Sequence, residues 1–325
     1  MKIRRVGTCI CLLLLAACLV AVAPAAAQDY PKGTIQLVIP FGAGGGTDIF
    51  WRTLSDYFAK ALKTNIAVVN KPGGGGIVGV SGVLNAKPDG YTIAAGNSDT
   101  FNINPLFTKS SLPFDTIEGV NYIAKVANFP QTLVVSADSP FKTFEDVIAY
   151  AKANPKKLKA STPGTGTNPA MALRLLAYEA KAEITPVGFS GGGESVTALL
   201  GGHVDLAAIA LPPARAQVDA GKLRLLVFFS KERHPLYPNV PTSYEKGYRQ
   251  ALVDTGMGVV GPKGLPAEVI KKWNDVIQAA VQDVEFVKTV QKFGYVTDYK
   301  TGAEYKKEIL DEFNLFKKVM AQAGN

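Results

Sequence analysis

The chain has 325 residues, 47% of them hydrophobic and 19% charged, with a formal net charge of +8. That length predicts two domains of about 150 residues, each able to bury its own core. The charge is mild and the lysines are interspersed with acids, as in KKWNDVIQAAVQDVEFVK (271–288), which reads as a solvated surface rather than a nucleic-acid or membrane patch.

The first residues, MKIRR, precede the apolar run CICLLLLAACLVAV (9–22) and the small-residue stretch APAAAQDY (23–30). This order is that of a secretory signal, with cleavage expected after Ala27 and alanine at both Ala25 and Ala27. The run is shorter than the roughly 18 to 20 residues a membrane span needs. Leu15-Ala16-Ala17-Cys18 offers a lipobox alternative with an anchor at Cys18, but apolar residues continue through Val22, which favours the ordinary signal. Cleavage removes Lys2, Arg4 and Arg5 of the 35 basic residues and none of the 27 acidic ones, so the net charge falls from +8 to +5. It also removes Cys9, Cys11 and Cys18, which are all the cysteines, so the exported protein is stabilised by its core alone.

Beyond the signal, short β-branched runs alternate with helical patterns, the rhythm of an α/β protein with largely parallel sheets. TIQLVIP (34–40) predicts a strand, and residues 47–63 a helix with apolar positions at Ile49, Phe50, Leu54, Tyr57, Phe58 and Leu62. NIAVVN is the next strand. PGGGGIVG then leads into a helix ending near Ala86, and the Pro88-Asp89-Gly90 turn delivers the strand YTIAAG. VNYIAKVA (120–127) and TLVVSA (132–137) are read as separate strands broken at Pro130. A helix capped by Thr143 follows, with Glu145 and Asp146 in its first turn. LKAST, the loop PGTGT and the helix NPAMALRLLAYEAK repeat the opening arrangement. The alternation continues to Ser230, and the chain past Pro262 is mostly helical. Two strand, glycine-loop, helix units, one in each half, predict two α/β lobes.

The first loop, PFGAGGGTDIFWR (40–52), leads into a helix whose N-terminal amides are unpaired and carry partial positive charge, so it suits an anion. It is no Walker A loop, because Thr47-Asp48 stands where Lys and Ser or Thr are required, and no dinucleotide loop, because Thr47 replaces the third glycine and Asn70 the ribose acid. Asp48 either reaches the ligand or serves the loop, capping the helix or pairing with Arg52 at i, i+4. The second loop, Gly164 to Asn168, opens a helix with Pro169 in its first turn. Neither loop carries a cation, and two such cradles facing each other fit a small molecule with two carboxylate ends. Gly188-Phe189-Ser190-Gly191-Gly192 also matches a hydrolase nucleophile elbow. However, the acid and base candidates Asp219 and His234 follow the serine too closely, and His203 reads as a turn residue. Two distant histidines form no metal cluster.

Six stretches, PFGAGGGTDIFWR, VVNKPGGGGIVG, KPDGYTI, ALLGGHVD, AGKLRLLVFFSKER and PNVPTSYEKGY, in this order over nearly all the mature chain, resemble the periplasmic solute-binding subunits of tripartite tricarboxylate transporters, the Bug or TctC-like family. The resemblance implies a type II periplasmic-binding-protein fold, two α/β lobes with the ligand cleft between them: residues 29–129 with 250–325 in one lobe and 130–249 in the other. It implies a ligand carboxylate at Phe41, Gly42, Ala43, Gly44, Gly45, Gly46, Thr47 and Asp48, and a second polar end at Gly164, Thr165, Gly166, Thr167 and Asn168. Asn97, Ser98, Asp99, Phe189, Ser190 and Ala210 would adjoin the cleft. Relatives often carry histidine near the position of Ala170, and Tyr-Lys-Gly where this chain reads Phe189-Ser190-Gly191, so the second subsite is less cationic here. Phe41, Trp51, Phe101 and Phe189 are candidates for an apolar wall, with Trp51 as core the alternative. The function implied is a monomeric periplasmic receptor for a di-, tri- or aromatic carboxylate, delivering to membrane subunits, with no cofactor, metal or nucleic acid. A receptor feeding a sensor kinase and a serine hydrolase built on Ser190 are the rivals.

Overall fold

Alternating β-branched and amphipathic stretches build two sheets that share one long strand. The computed structural model describes residues 30–107 and 112–322; the expected signal (1–27), its three cysteines and the Cys18 alternative lie outside the described residues. In chain order the elements are β1 (Ile35–Ile39), α1 (Gly46–Leu62), β2 (Ile66–Asn70), a 3-10 turn (Gly74–Gly76) entering α2 (Ile77–Leu84), β3 (Thr92–Asn97), the short α3 (Ser98–Asn102) and α4 (Asn104–Phe107), β4 (Val120–Ser136), α5 (Phe144–Ala153), β5 (Lys159–Thr162) and α6 (Asn168–Ala180). They continue with β6 (Thr185–Gly188), α7 (Gly192–Leu200), β7 (Leu206–Ala210), α8 (Leu211–Asp219), β8 (Leu223–Phe228), β9 (Asp254–Pro262), α9 (Ala267–Ala280), α10 (Val284–Lys292), β10 (Val296–Thr301) and α11 (Gly302–Gln322).

Helix α1 forms because Phe50, Leu54 and Phe58, with Trp51 and Leu62, fall on one face at three- and four-residue steps, and all are buried. It ends at Lys63 in the left-handed conformation, φ 54°, whose N–H closes on the carbonyl of Lys60. Phe58 stacks obliquely against Trp273 of α9 and edge-on against Phe286 of α10, so three helices cover one face of the first sheet. Burying a ring of this size contributes about 1.5–3 kcal/mol. Helix α5 carries the expected Thr143 cap, completed as a reciprocal box by Asp146.

Strands β2, β1 and β3 run parallel, β9 joins β3 antiparallel, and β4 joins β9 antiparallel. In the second sheet β6, β5 and β7 are parallel, and β7 and β8 both pair antiparallel with β4. The expected break at Pro130 is absent: β4 is one strand of 17 residues. It pairs with β9 from Val120↔Pro262 to Pro130↔Asp254, and with β7 from Gln131↔Ala210 onward. Pro130 lies where the partners change, a position at which its missing N–H interrupts no continuous ladder. Strand β10 escaped the sequence reading because VTDYKT, lying at an edge with mixed exposure, shows no apolar alternation.

One buried charge network ties β4 to the C-terminal elements. Lys125, 1% exposed, reaches Asp298 at 2.8 Å and Glu308, which also binds Lys300. Glu312 nearby accepts from Asn102 Nδ2 at 2.6 Å. Burial, reinforced by the Glu308 charge, pushes the Glu312 carboxyl up to about 7, and burial also raises Asp254 to about 6 despite the pull of Lys125.

Candidate functional site

Four helices begin at one cavity between the two sheets. Gly45, Gly46 and Thr47 at the start of α1 line it together with Phe41, and so do Pro163, Thr167 and Pro169 around the start of α6. Gly191 and Gly192 enter from α7, Ala210 and Pro213 from α8, and Asn97, Asp99, Phe129 and Thr255 complete the wall. None of these four helices has a side-chain cap, a condition they share with α2, α3 and α9, while α5 and α10 are capped by Thr143 and Asp283. In α1 and α7 the uncapped first-turn amides are donors at the positive end of a dipole, whereas Pro169 in α6 and Pro212 and Pro213 in α8 have no N–H and the Asn168 amide of α6 is given to Asp99. The space between these walls is about 40 Å³, room for only a few water-sized volumes.

The first glycine loop is braced from behind. Gly44 adopts φ +73°, open to glycine at little cost, and donates its N–H to Asp48 Oδ2 at 3.0 Å. Asp48 Oδ1 receives Arg52 Nε at 2.7 Å and Asn70 Nδ2 at 2.9 Å, and Asn70 also donates to the Phe41 carbonyl at 3.0 Å. Asp48 is therefore a strut of the loop and does not line the cavity. Ala43 and Gly44 form an exposed tip, while Gly42 faces the Ser190 carbonyl across the gap.

The loop that faces this tip is not the one expected. A Cβ on Gly193 would stand 3.5 Å from the Gly44 carbonyl, and one on Gly192 only 2.8 Å from Pro213, so the N-terminus of α7 packs beside the first loop and closely against α8. Gly164, Thr165 and Gly166 turn instead, with Phe189, into a neighbouring crevice shared with Gly74, Gly75, Asn104 and Phe107. Of the second loop, Thr167 reaches the cavity. Asn168 lies behind its wall, donating Nδ2 to Ser98 Oγ at 3.0 Å and to Thr255 Oγ1 at 2.9 Å, and Ser98 also accepts the Gly256 N–H at 3.0 Å. Ser98 and Asn168 thus join the two sheets. Trp51 and Phe101 are core, packed edge-on against Phe50 and Tyr122, and Phe41 and Phe129 form the apolar wall. Sequence reasoning passed over Gly192, Phe129, Thr255, Pro163, Pro169 and Pro213. The run Gly191-Gly192-Gly193 after a strand carried the same signal as Gly44-Gly45-Gly46 and had been absorbed into the nucleophile-elbow reading.

The polar side chains at the cavity are Thr47, Asn97, Asp99, Thr167 and Thr255. Asn97 donates Nδ2 to Thr47 Oγ1 at 2.6 Å, which orients its amide and leaves Oδ1 buried without a partner. Asp99 Oδ1 is likewise buried and unpaired. Burial raises the Asp99 carboxyl to about 7, offset in part by the backbone amides of Asn168, Thr100 and Asp99 itself.

The hydrolase elements do not assemble. Ser190 is exposed and its hydroxyl is engaged by Glu194. His234 Nδ1 accepts from the Leu236 N–H at 3.2 Å, so Nε2 carries the proton and donates to the Gly294 carbonyl at 3.2 Å. The ring is stacked on Phe228, and Asp219 is taken by Tyr237 and Arg215. His203 is exposed beyond the far end of α7, a helix about 13 Å long.

Two α/β units joined by a shared crossing strand, with a small cavity between them, form the type II periplasmic-binding-protein fold, the class of solute-binding proteins. Residues 50–324 match the family model described as the tripartite tricarboxylate transporter family receptor, TctC, and the chain belongs to that family. It is 36% identical over 304 residues to the UPF0065 protein in the gbd 5' region of Cupriavidus necator, covering 93% of this chain and 91% of the relative. Its fold matches the periplasmic binding protein BugD with a TM-score of 0.84 at 26% identity, over 91% of this chain and 99% of BugD. It also matches MatC from Rhodopseudomonas palustris with bound malate, TM-score 0.83 at 26% identity, over 89% and 99% of the two chains. Among the described residues no helix is long and apolar enough to cross a membrane.

Proposed function

We infer that this receptor is exported through a cleaved signal peptide, captures a small organic carboxylate between its two lobes in the periplasm, and delivers it to the membrane subunits of a tripartite transporter. The observation that carries the reading is the convergence of the glycine-opened N-termini of α1 and α7 on one cavity, flanked by the proline-bearing starts of α6 and α8. An anion there is held by amides and dipoles without a side-chain cation. The malate bound by MatC supports the carboxylate class.

The lobes comprise residues 29–129 with 250–325, and 130–249. Closure pivots where β4 exchanges β9 for β7, at Pro130 and Gln131. Delivery follows if the membrane subunits prefer the closed form, because a ligand stabilises whichever form it binds better. The protein works as a monomer and carries out no reaction on its solute.

The test is a thermal-shift screen of di-, tri-, aromatic and substituted carboxylates on the folded protein. A true ligand at 100 times its dissociation constant adds about 2.7 kcal/mol of stability. If no carboxylate raises Tm, the receptor reading fails.

A further inference from the structure

The cavity holds an acid that no residue of the protein neutralises. Asp99 lines it at 3% exposure, its Oδ1 lacks any hydrogen-bond partner, and the residues around the space include no lysine, arginine or histidine. Asn97 Oδ1, in the same wall, is equally unpartnered, and its orientation is set by the donation of Nδ2 to Thr47. Buried acceptors left unmet are costly, and an occupant that brings donors relieves them. The opposite requirement holds at the starts of α1 and α7, where the protein supplies backbone amide donors. One small space therefore asks for an anionic end and a donor-bearing end on the same molecule.

We propose that Asp99 selects the solute, so that the carboxylate captured here also carries a protonated amine, a small amino-acid-like zwitterion whose ammonium lies against Asp99 Oδ1 and Asn97 Oδ1. The inference rests on the receptor reading above and narrows it. A dicarboxylate would set a second anion beside an acid that has no cation of its own, and like charges in one desolvated space disfavour each other. An ammonium does the reverse, meeting both acceptors and favouring the ionised form of the Asp99 carboxyl, which burial raises to about 7 even with its backbone amide donors. The restricted space, about 40 Å³, favours a compact molecule.

The experiment is calorimetric titration of the folded protein at pH 7.5 with two matched series that differ at one substituent: L-aspartate, L-malate and succinate, and L-alanine, L-lactate and propionate. In at least one series the amine is expected to bind at least tenfold more tightly than both its hydroxyl and its unsubstituted counterparts. Asp99→Asn, which keeps shape and removes charge, is expected to cut that preference at least tenfold. The wild-type ratios decide the matter even if the variant does not fold. Malate or succinate binding as well as aspartate, with lactate or propionate matching alanine, would overturn the assignment of Asp99 and leave the carboxylate receptor standing. An amine preference that Asp99→Asn leaves intact would also overturn it. If none of the six molecules and no other carboxylate binds, the receptor reading falls and takes this inference with it.

Discussion

Gly46→Ala separates binding from folding. Gly46 opens α1 at the cavity wall, and a Cβ there would stand 3.6 Å from Phe129 and 3.7 Å from Ala210, ordinary van der Waals distances. The fold accommodates the methyl group, but the ligand loses space: one water-sized volume is about 10–15 Å³, out of about 40 Å³. Overpacking of this kind costs about 1–3 kcal/mol, roughly 5- to 150-fold in dissociation constant. At a ligand concentration 100 times the wild-type constant, a 100-fold loss reduces the stabilisation from about 2.7 to about 0.4 kcal/mol. At about 2 °C per kcal/mol for a chain of this size, the thermal shift falls from about 5 °C to about 1 °C, while Tm without ligand stays within about 1 °C of wild type. Gly192→Ala is the contrast, because its Cβ would meet Pro213 at 2.8 Å and the ring must move. A Gly46→Ala protein with unchanged Tm and the full wild-type shift would refute the placement of the carboxylate at the start of α1.

Two further predictions concern the buried charges. Lys125→Met strips Asp298 and Glu308 of their buried partner, but Lys300 still reaches both, and Asn128 still donates to Asp298 at 2.9 Å. The cost therefore falls at or below the low end for a broken buried pair, about 2–3 kcal/mol, read as a lower urea midpoint; a midpoint unchanged by the substitution would contradict the network. Glu312→Gln tests the raised carboxyl. With its folded value near 7 against an ordinary 4.5, the native state keeps a proton that the unfolded chain releases, so the wild type is most favoured below pH 4.5 and loses stability as pH rises through 7. Glutamine preserves the acceptor for Asn102 and does not titrate. The variant is expected to match the wild type at pH 4 and exceed it at pH 8 in urea denaturation, with the slope that Asp99 and Asp254 contribute remaining in both proteins; a variant less stable at pH 8 would show that Glu312 is held ionised.

The elements were legible wherever the stabilising contacts are local. The apolar face of α1, the Thr143 cap of α5 and the strands β1, β2 and β3 follow from side-chain spacing and capping chemistry that act within a few residues. The glycine run before α1 announced an anion site for the same reason: a helix start and a backbone free of Cβ atoms are readable without knowing what lies opposite. Continuity through Pro130, the edge strand β10 and the choice of α7 rather than Gly164–Gly166 as the facing surface had no such local mark. Each depends on which distant strands β4 selects, and that choice is made by burial summed over both sheets. Asp99 illustrates the division best. In the chain it is one acid after a strand, and it becomes a buried carboxylate with Oδ1 unpartnered at a cavity wall only because β3, β9 and α6 converge around it.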